Sequence, residues 1–189
     1  MNDLKNIPEK KTNEWKRVFS FFDFARLTAL NDNFIIIRFN NKVSNITYSD
    51  LEYNNYNQLY EYKRGILFDI IEMIIKNIRD EECVIFKYSH KWISNKKRNR
   101  KLYRILRRNN IKNINSFAIC ENKSNIIDFV DAIFSYNSFC GFAFTKDKII
   151  MLPSDHMDIF IYYDNYDWKE KIQSIINEYT DIIDCVKCW

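Results

Sequence analysis

Glycine, proline and histidine are scarce in this chain, with two of each among 189 residues. Average usage is about 7% for Gly and about 5% for Pro, so the turns must be made largely by Asn and Asp. The scarcity of Gly argues against Gly-rich loops that cradle phosphate, and the sequence contains no Gly-x-Ser-x-Gly or kinase-type motif. We therefore lean against an enzyme and predict no catalytic residue, no cofactor and no metal.

Long apolar runs are also missing. None approaches the roughly 18 residues needed to span a bilayer, so we expect no membrane segment. Residues 1–12 are polar and charged, without the apolar region of a secretory signal. The five cysteines are odd in number and lie mostly in apolar surroundings, which is typical of reduced thiols. These features predict a cytoplasmic protein.

Acidic residues are absent from one long stretch, residues 83–120, which has no Asp or Glu but eleven Lys and Arg. Of the 29 Lys and Arg in the chain, 18 remain outside this stretch against all 25 Asp and Glu. The net charge of +4 therefore conceals an acidic body that carries one strongly basic element. Such an asymmetry constrains the partners of a protein rather than its fold.

The centre of the acid-free stretch, residues 94–109, is predicted to be an amphipathic helix. Leu102, Ile105 and Leu106 have the i, i+3, i+4 spacing of a buried stripe. With Ser94 as the N-cap, lysines would occupy the first turn, where the helix dipole prefers anions. Cations at this position weaken the helix without a structural gain. Such an exception to the usual helix preferences indicates a function, such as binding phosphate or carboxylate groups. The predicted cationic face comprises Lys96, Lys97, Arg100, Lys101, Arg104, Arg107 and Arg108.

We predict from this face a non-catalytic interaction protein of the inhibitor or immunity type, which binds an acidic partner protein. Trp92 and Tyr103 are the predicted aromatic anchors beside the arginines. The alternative is a nucleic-acid-binding protein whose same face neutralises phosphates while Trp92, Tyr103 and Tyr88 stack bases, although the acidic body weighs against it. A further interpretation is a solvated helix whose charges pair with the acidic remainder of the fold.

Two other patterns could carry chemistry. His156 and Asp158 would share one face of a strand, as in a hydrolase-type enzyme that uses a His–Asp pair, although the preceding Ser and Asp favour a structural turn. Cys185 and Cys188 have the spacing of a zinc knuckle or redox pair. A structural zinc site needs four ligands, however, and the sequence has no second pair. We interpret the two cysteines as incidental.

The predicted fold is α/β or mixed α+β, with one globular domain over residues 13–189 after a mobile lead-in at residues 1–12. Alternating strands and helices indicate crossover units and partly parallel pairing in a mixed sheet of mainly four to six strands. The tyrosine-rich residues 43–62 are either an irregular surface segment or an aromatic contact surface. Strands are predicted at 34–39, 83–88, 114–120, 139–145, 149–152 and 157–163. Besides the basic helix, helices are predicted at 13–29, 65–79, 124–136 and 168–183.

Overall fold

The computed structural model of this protein describes residues 4–40 and 57–186, which contain ten strands and five helices. The strands are β1 (Leu4–Asn6), β2 (Phe22–Asp23), β3 (Thr28–Ala29), β4 (Phe34–Phe39), β5 (Cys83–Lys87), β6 (Phe117–Cys120), β7 (Cys140–Phe144), β8 (Ile149–Pro153), β9 (Ile159–Tyr163) and β10 (Ile183–Val186). The helices are α1 (Glu9–Val18), α2 (Asn57–Asn77), α3 (Arg100–Arg108), α4 (Ser124–Phe134) and α5 (Asp167–Ile176), and a short 3-10 helix follows at Asn177–Tyr179.

Eight strands form one antiparallel sheet in the order β1-β6-β5-β7-β8-β9-β4-β10, and β2 pairs with β3 in a separate two-stranded sheet. The mixed α+β class is thereby confirmed. The main sheet is larger than the four to six strands predicted, and the prediction of partly parallel pairing is wrong for the described strands. Strand β10 was also missed, because residues 168–183 were predicted to be helical and no strand was predicted after residue 163.

The crossover connections exist, but an antiparallel strand lies between the strands that they join. Helix α4 connects β6 to β7, which run parallel to each other, and β5 lies between them and pairs with both. Helix α5 likewise joins β9 to β10 across β4. The alternation of strands and helices along the chain therefore predicts the crossover connections correctly. It does not predict which strand pairs with which, because the strand inserted between them comes from another part of the chain.

Helix α3 lies in a different kind of connection, between β5 and β6, which are antiparallel neighbours. The two ends of this connection meet, since the backbone N–H of Lys87 donates to the carbonyl of Ser116 at 2.9 Å. Residues 88–116 therefore leave the sheet and return to the same end of it. This excursion carries most of the cations of the acid-free stretch.

Helices α2, α3, α4 and α5 enclose the larger of two hydrophobic cores against one face of the sheet. Their mutual contacts place them in the order α3, α4, α2, α5. Each contributes buried apolar side chains, such as Leu106 from α3, Phe129 from α4, Leu67 from α2 and Trp168 from α5. The predicted helices at 65–79, 124–136 and 168–183 coincide with α2, α4 and α5, but α2 begins earlier and α5 ends earlier than predicted.

The other face of the sheet is covered by the N-terminal residues, where the helix predicted at 13–29 is wrong. Helix α1 ends at Val18, and a hairpin of β2 and β3 follows. Asp23 stabilises the turn between the two strands, since its Oδ1 accepts the N–H groups of Ala25 and Arg26 at 2.8 and 3.2 Å. Phe22, which lies within the predicted helix, packs instead on Phe86 and Tyr162 of the sheet.

Two further predictions concern the N-terminus and the tyrosine-rich tract. In the predicted lead-in, Leu4 is buried and pairs with Cys120 across β1 and β6, so the described part of this lead-in is built into the sheet. Residues 41–56, which hold most of the tyrosine-rich tract, lie outside the described residues. Tyr60 belongs to α2, is buried, and donates its hydroxyl to the carbonyl of Phe134 at 3.2 Å, so it packs in the core.

Candidate binding surface

The basic segment is helical only in its second half. Helix α3 begins at Arg100, six residues after the predicted start, so Ser94 is not its N-cap. Residues 96–99 form turns, and the Oδ1 atom of Asn95 accepts the N–H groups of Lys97 and Arg98 at 3.0 and 3.4 Å. The Asn side chain thus offers these donors an alternative to the helix, and a helical turn of adjacent lysines would add charge repulsion.

The start of this segment is tied to the loop that follows α4. The N–H of Ser94 donates to the carbonyl of Asn137 at 2.8 Å. The side-chain Oδ1 of Asn137 accepts the backbone N–H of Asn95, and its Nδ2 donates to the carbonyl of Asn95 at 3.0 Å. Ser138 donates its hydroxyl to the carbonyl of Trp92 at 2.8 Å. Asn137 and Ser138 are buried, so these bonds hold the segment against the fold.

The predicted apolar stripe of α3 is confirmed. Leu102 and Leu106 are buried in the main core, and Ile105 is half-buried against it. The helix packs beside α4, where the Lys101 ammonium lies 2.9 Å from the Asp128 carboxylate. The stripe therefore orients α3 with its cationic residues toward solvent.

Most cations of the predicted face have no carboxylate partner within the described part of the protein. Lys101 is the exception, through its pair with Asp128. The interpretation of a helix whose charges are neutralised by its own fold is therefore not supported for this part of the chain. The cations that are exposed and form no described ion pair are Lys96, Lys97, Arg100, Arg104, Arg107 and Arg108.

The two predicted aromatic anchors differ from each other. Trp92 is only 2% exposed, and its indole N–H is shared between the carbonyls of Lys112 and Asn115 at 3.2 and 3.0 Å. It is a core residue rather than an exposed contact, and we remove it from the predicted set of surface anchors. Tyr103 is half-buried, and the Lys96 ammonium lies 4.9 Å from the centre of its ring.

A cleft of about 340 Å³ lies beside α3 and was not predicted from the sequence. One wall is a single side of the helix, with Tyr103, Leu106 and Arg107 at i, i+3 and i+4, and it is continued by Asn110 just after the helix. The other wall is formed by residues that precede and follow the helix. These are Trp92, Ile93, Lys96, Ile111, Lys112 and Asn113.

The end of α3 shapes this cleft. Asn110 has a φ of 55°, and the N–H of Ile111 donates to the carbonyl of Leu106 at 2.9 Å, which is the pattern of a Schellman cap. The cap turns Ile111 back toward the core. The Asn-Asn pair after an amphipathic helix is the sequence signal that could have predicted this turn, because Asn tolerates the left-handed conformation.

One strongly acidic segment lies toward the opposite end of the sheet. Between Asp155 and Asp184 the chain has eight Asp and Glu against two Lys. This segment includes β9, α5 and the first half of β10, and β10 is the edge strand furthest from β1. Helices α3 and α5 are likewise the two ends of the helix layer. This acidic segment and the basic segment are therefore separated in space.

His156 and Asp158 do not lie on a strand, as had been predicted, but in the turn before β9. The N–H of His156 donates to Ser154 Oγ at 3.2 Å, and Met157 has a φ of 61°, so the local arrangement is that of a structural turn. Burial raises the pKa of Asp158, while Arg38, His156 and Lys63 act to lower it. We assign these residues no catalytic step.

The remaining predicted features are the cysteine pair and the possible metal ligands. Cys185 lies exposed in β10, and Cys188 is outside the described residues. Within residues 4–40 and 57–186 no group of three or more His, Cys, Asp or Glu side chains is arranged to hold a metal ion. In the same ranges, none of the helices has both the length and the apolar character that crossing a bilayer requires.

Comparisons with protein-family models, with curated proteins and with solved structures find no match to this chain. The function of the protein is therefore inferred from the geometry and charge of the described residues.

Proposed function

We propose that this chain is a non-catalytic cytoplasmic interaction protein of the inhibitor or immunity type, which binds an acidic partner protein through the surface of α3 and residues 96–99. The observation that carries the proposal is the exposure of several cations without a described carboxylate partner, although the rest of the chain has an acidic excess. An acidic partner would supply the missing carboxylates. Complementary charge also accelerates association.

The orientation of the charges relative to the helix supports the same proposal. Asn99 stands at the N-cap of α3 without a side-chain hydrogen bond, and Arg100 and Lys101 occupy the first turn. Positive charge at this end opposes the helix dipole and weakens the isolated fold. A partner's carboxylates at the same place would be favoured both by the cations and by the unpaired N–H groups of the helix start.

The test is purification of the tagged protein from cells that make it naturally, in parallel with two double variants. Arg104→Glu with Arg107→Glu reverses two charges of the surface, and Arg17→Glu with Lys76→Glu makes the same change in net charge elsewhere. We expect one stoichiometric acidic protein with the unaltered chain and the second variant, and loss of at least tenfold with the first. Nuclease treatment should not release it.

Equal recovery with both double variants would refute the proposal. Release of the partner by nuclease would favour the alternative, a nucleic-acid-binding protein that uses the same exposed cations. A fluorescent oligonucleotide would then bind with a steep salt dependence, and Arg104→Glu with Arg107→Glu would abolish the binding. The burial of Trp92 weakens this alternative, because a buried indole offers no face for stacking a base.

A further inference from the structure

We infer that the cleft beside α3 is the anchor point of the basic surface, and that it takes an apolar side chain flanked by carboxylates in an acidic segment of a partner protein. The inference rests on the proposed function and adds to it the chemistry of the central contact. A dense cationic face alone explains attraction at long range, whereas binding energy in interfaces is concentrated in a few desolvated pockets.

The composition of the cleft favours a ligand of this kind. Its floor is apolar, with Trp92, Ile93, Leu106 and Ile111, all of which are buried. Lys96, Arg107 and Lys112 are exposed at its rim. An apolar floor under a cationic rim fits a ligand that combines an apolar body with negative charge.

The size of the cleft also favours a single side chain as its ligand. A volume of about 340 Å³ is at the lower end of the range of about 300–1,000 Å³ found for small-molecule pockets. It is suited to one bulky side chain with its adjacent backbone rather than to a whole helix. The partner segment would therefore present a single aromatic or large aliphatic residue to the cleft, with its neighbouring carboxylates at the rim.

The cleft is held in place by hydrogen bonds. Trp92 donates its indole N–H to the carbonyls of Lys112 and Asn115, and its backbone N–H donates to Asn113 Oδ1 at 3.1 Å. The N–H of Lys112 donates to Asn115 Oδ1 at 3.0 Å. Walls fixed in this way lose little conformational freedom on binding, which favours affinity.

The same features favour a protein side chain over a nucleobase. Stacking needs an open aromatic face, but Trp92 is buried, and the ring of Tyr103 already lies under the Lys96 ammonium. The aliphatic side chains of the floor provide an apolar surface without such a platform. We therefore assign the cleft to an acidic peptide segment.

The test uses fluorescence anisotropy with the full chain and two labelled nine-residue peptides. One has a central Trp between four Asp or Glu residues on each side, and the other has Ala in place of the Trp. A labelled oligo-deoxythymidine of similar charge is the third probe. We expect the Trp peptide to bind at least tenfold more tightly than the Ala peptide, and the oligonucleotide to bind no more tightly than the Ala peptide.

Matched charge reversals locate the effect. Arg107→Glu changes the rim of the cleft, and Arg100→Glu makes the same change in charge on the same helix outside the cleft lining. We expect Arg107→Glu to weaken the Trp peptide about tenfold or more, and Arg100→Glu to weaken both peptides by about threefold or less. Both positions are exposed, and unchanged circular dichroism verifies the fold.

Two results would overturn the anchor while leaving the proposed function intact: equal affinity for the two peptides, or equal losses from the two variants. Either would show that the surface attracts acidic chains by diffuse charge alone. Binding of the oligonucleotide with no binding of either peptide would overturn the anchor and the proposed function together, and would support the nucleic-acid alternative. Failure of all three probes to bind would overturn the anchor.

Discussion

Helices α3 and α5 lie at opposite ends of the same layer and have nearly the same length, with nine and ten residues. Each buries an apolar stripe, represented by Leu102 and Leu106 in α3 and by Trp168 and Ile172 in α5. Their charges, however, differ: α3 has Arg and Lys but no Asp or Glu, whereas α5 has two Asp or Glu and two Lys and is neutral overall. The buried stripe and the exposed charge of a short helix are therefore independent features, and only the stripe is dictated by packing.

The placement of charge in the two helices also differs. In α5 the first turn carries Asp167 and Glu170, which agree with the helix dipole and support the fold. In α3 the first turn carries Arg100 and Lys101, which oppose it. These two carboxylates of α5 can be explained by the stability of the helix alone. Those of α3 call for a role in association, and this contrast is the basis of our proposal.

The largest expected effect would test whether the two helices are docked equally well. Trp168→Ala should lower the free energy of unfolding by about 3–5 kcal/mol and Leu102→Ala by about 2–5 kcal/mol, because each leaves a cavity in a closed core. Urea denaturation measures both. A loss below about 1 kcal/mol for Leu102→Ala would mean that α3 is only loosely attached, and the comparison of the two helices would fail.

An effect of intermediate size concerns two buried thiols in the sheet, which lies beneath the helices and between the two charged ends. Burial raises the pKa of the Cys83 thiol, and it raises the pKa of Cys140 to about 12. Between about pH 9 and 12 the unfolded chain releases the Cys140 proton and the folded chain retains it, so stability falls as the pH rises. The slope is about 1.4 kcal/mol per pH unit for each thiol.

Urea denaturation at pH 8 and pH 10 measures this slope. In Cys140→Ala the decrease in stability over this interval should be smaller than in the unaltered protein by about 1.4 kcal/mol. Groups present in both proteins cancel in this difference. An identical pH dependence would show that the thiol is not held in a dry core.

The smallest expected effect bears most directly on the contrast between the two first turns. Arg100→Glu places an anion at the start of α3 and should raise the free energy of unfolding by about 0.3–1 kcal/mol, whereas Glu170→Lys in α5 should lower it by a similar amount. Both side chains are exposed, so packing is unchanged. In 1 M salt both differences should shrink, since the Debye length is then only about 3 Å.

If Arg100→Glu instead weakened the fold, the cations of α3 would have a structural role in the isolated chain. The contrast with α5 would then no longer support a surface kept for a partner.

Several elements were predicted correctly because the residues that specify them are neighbours in the sequence. Strand β4 coincides with the predicted Phe34–Phe39, where β-branched and aromatic residues are continuous. The apolar stripe of α3 was likewise read correctly from Leu102, Ile105 and Leu106. Spacing failed at residues 13–29, since aromatic side chains that cover a sheet from a hairpin can have the same spacing as those of a helix.

The candidate site was predictable to a smaller extent. The exposed cations were identified because charge density is visible in composition. The burial of Trp92 was not predicted, since it depends on carbonyl acceptors at Lys112 and Asn115, some twenty residues further along the chain. The cleft arises only where Ile93 and Ile111 are brought beside α3, and no local pattern specifies that meeting.

The amino-acid sequence by itself determined the separation of a basic segment from an acidic remainder, and the helices and strands whose apolar periodicity is strong. The tertiary structure alone decided that all eight strands of the main sheet are antiparallel, and that the basic and acidic segments lie at opposite ends of the helix layer. The physical reason is that periodicity specifies which side of an element is buried, whereas the neighbour that buries it is selected by packing between distant parts of the chain.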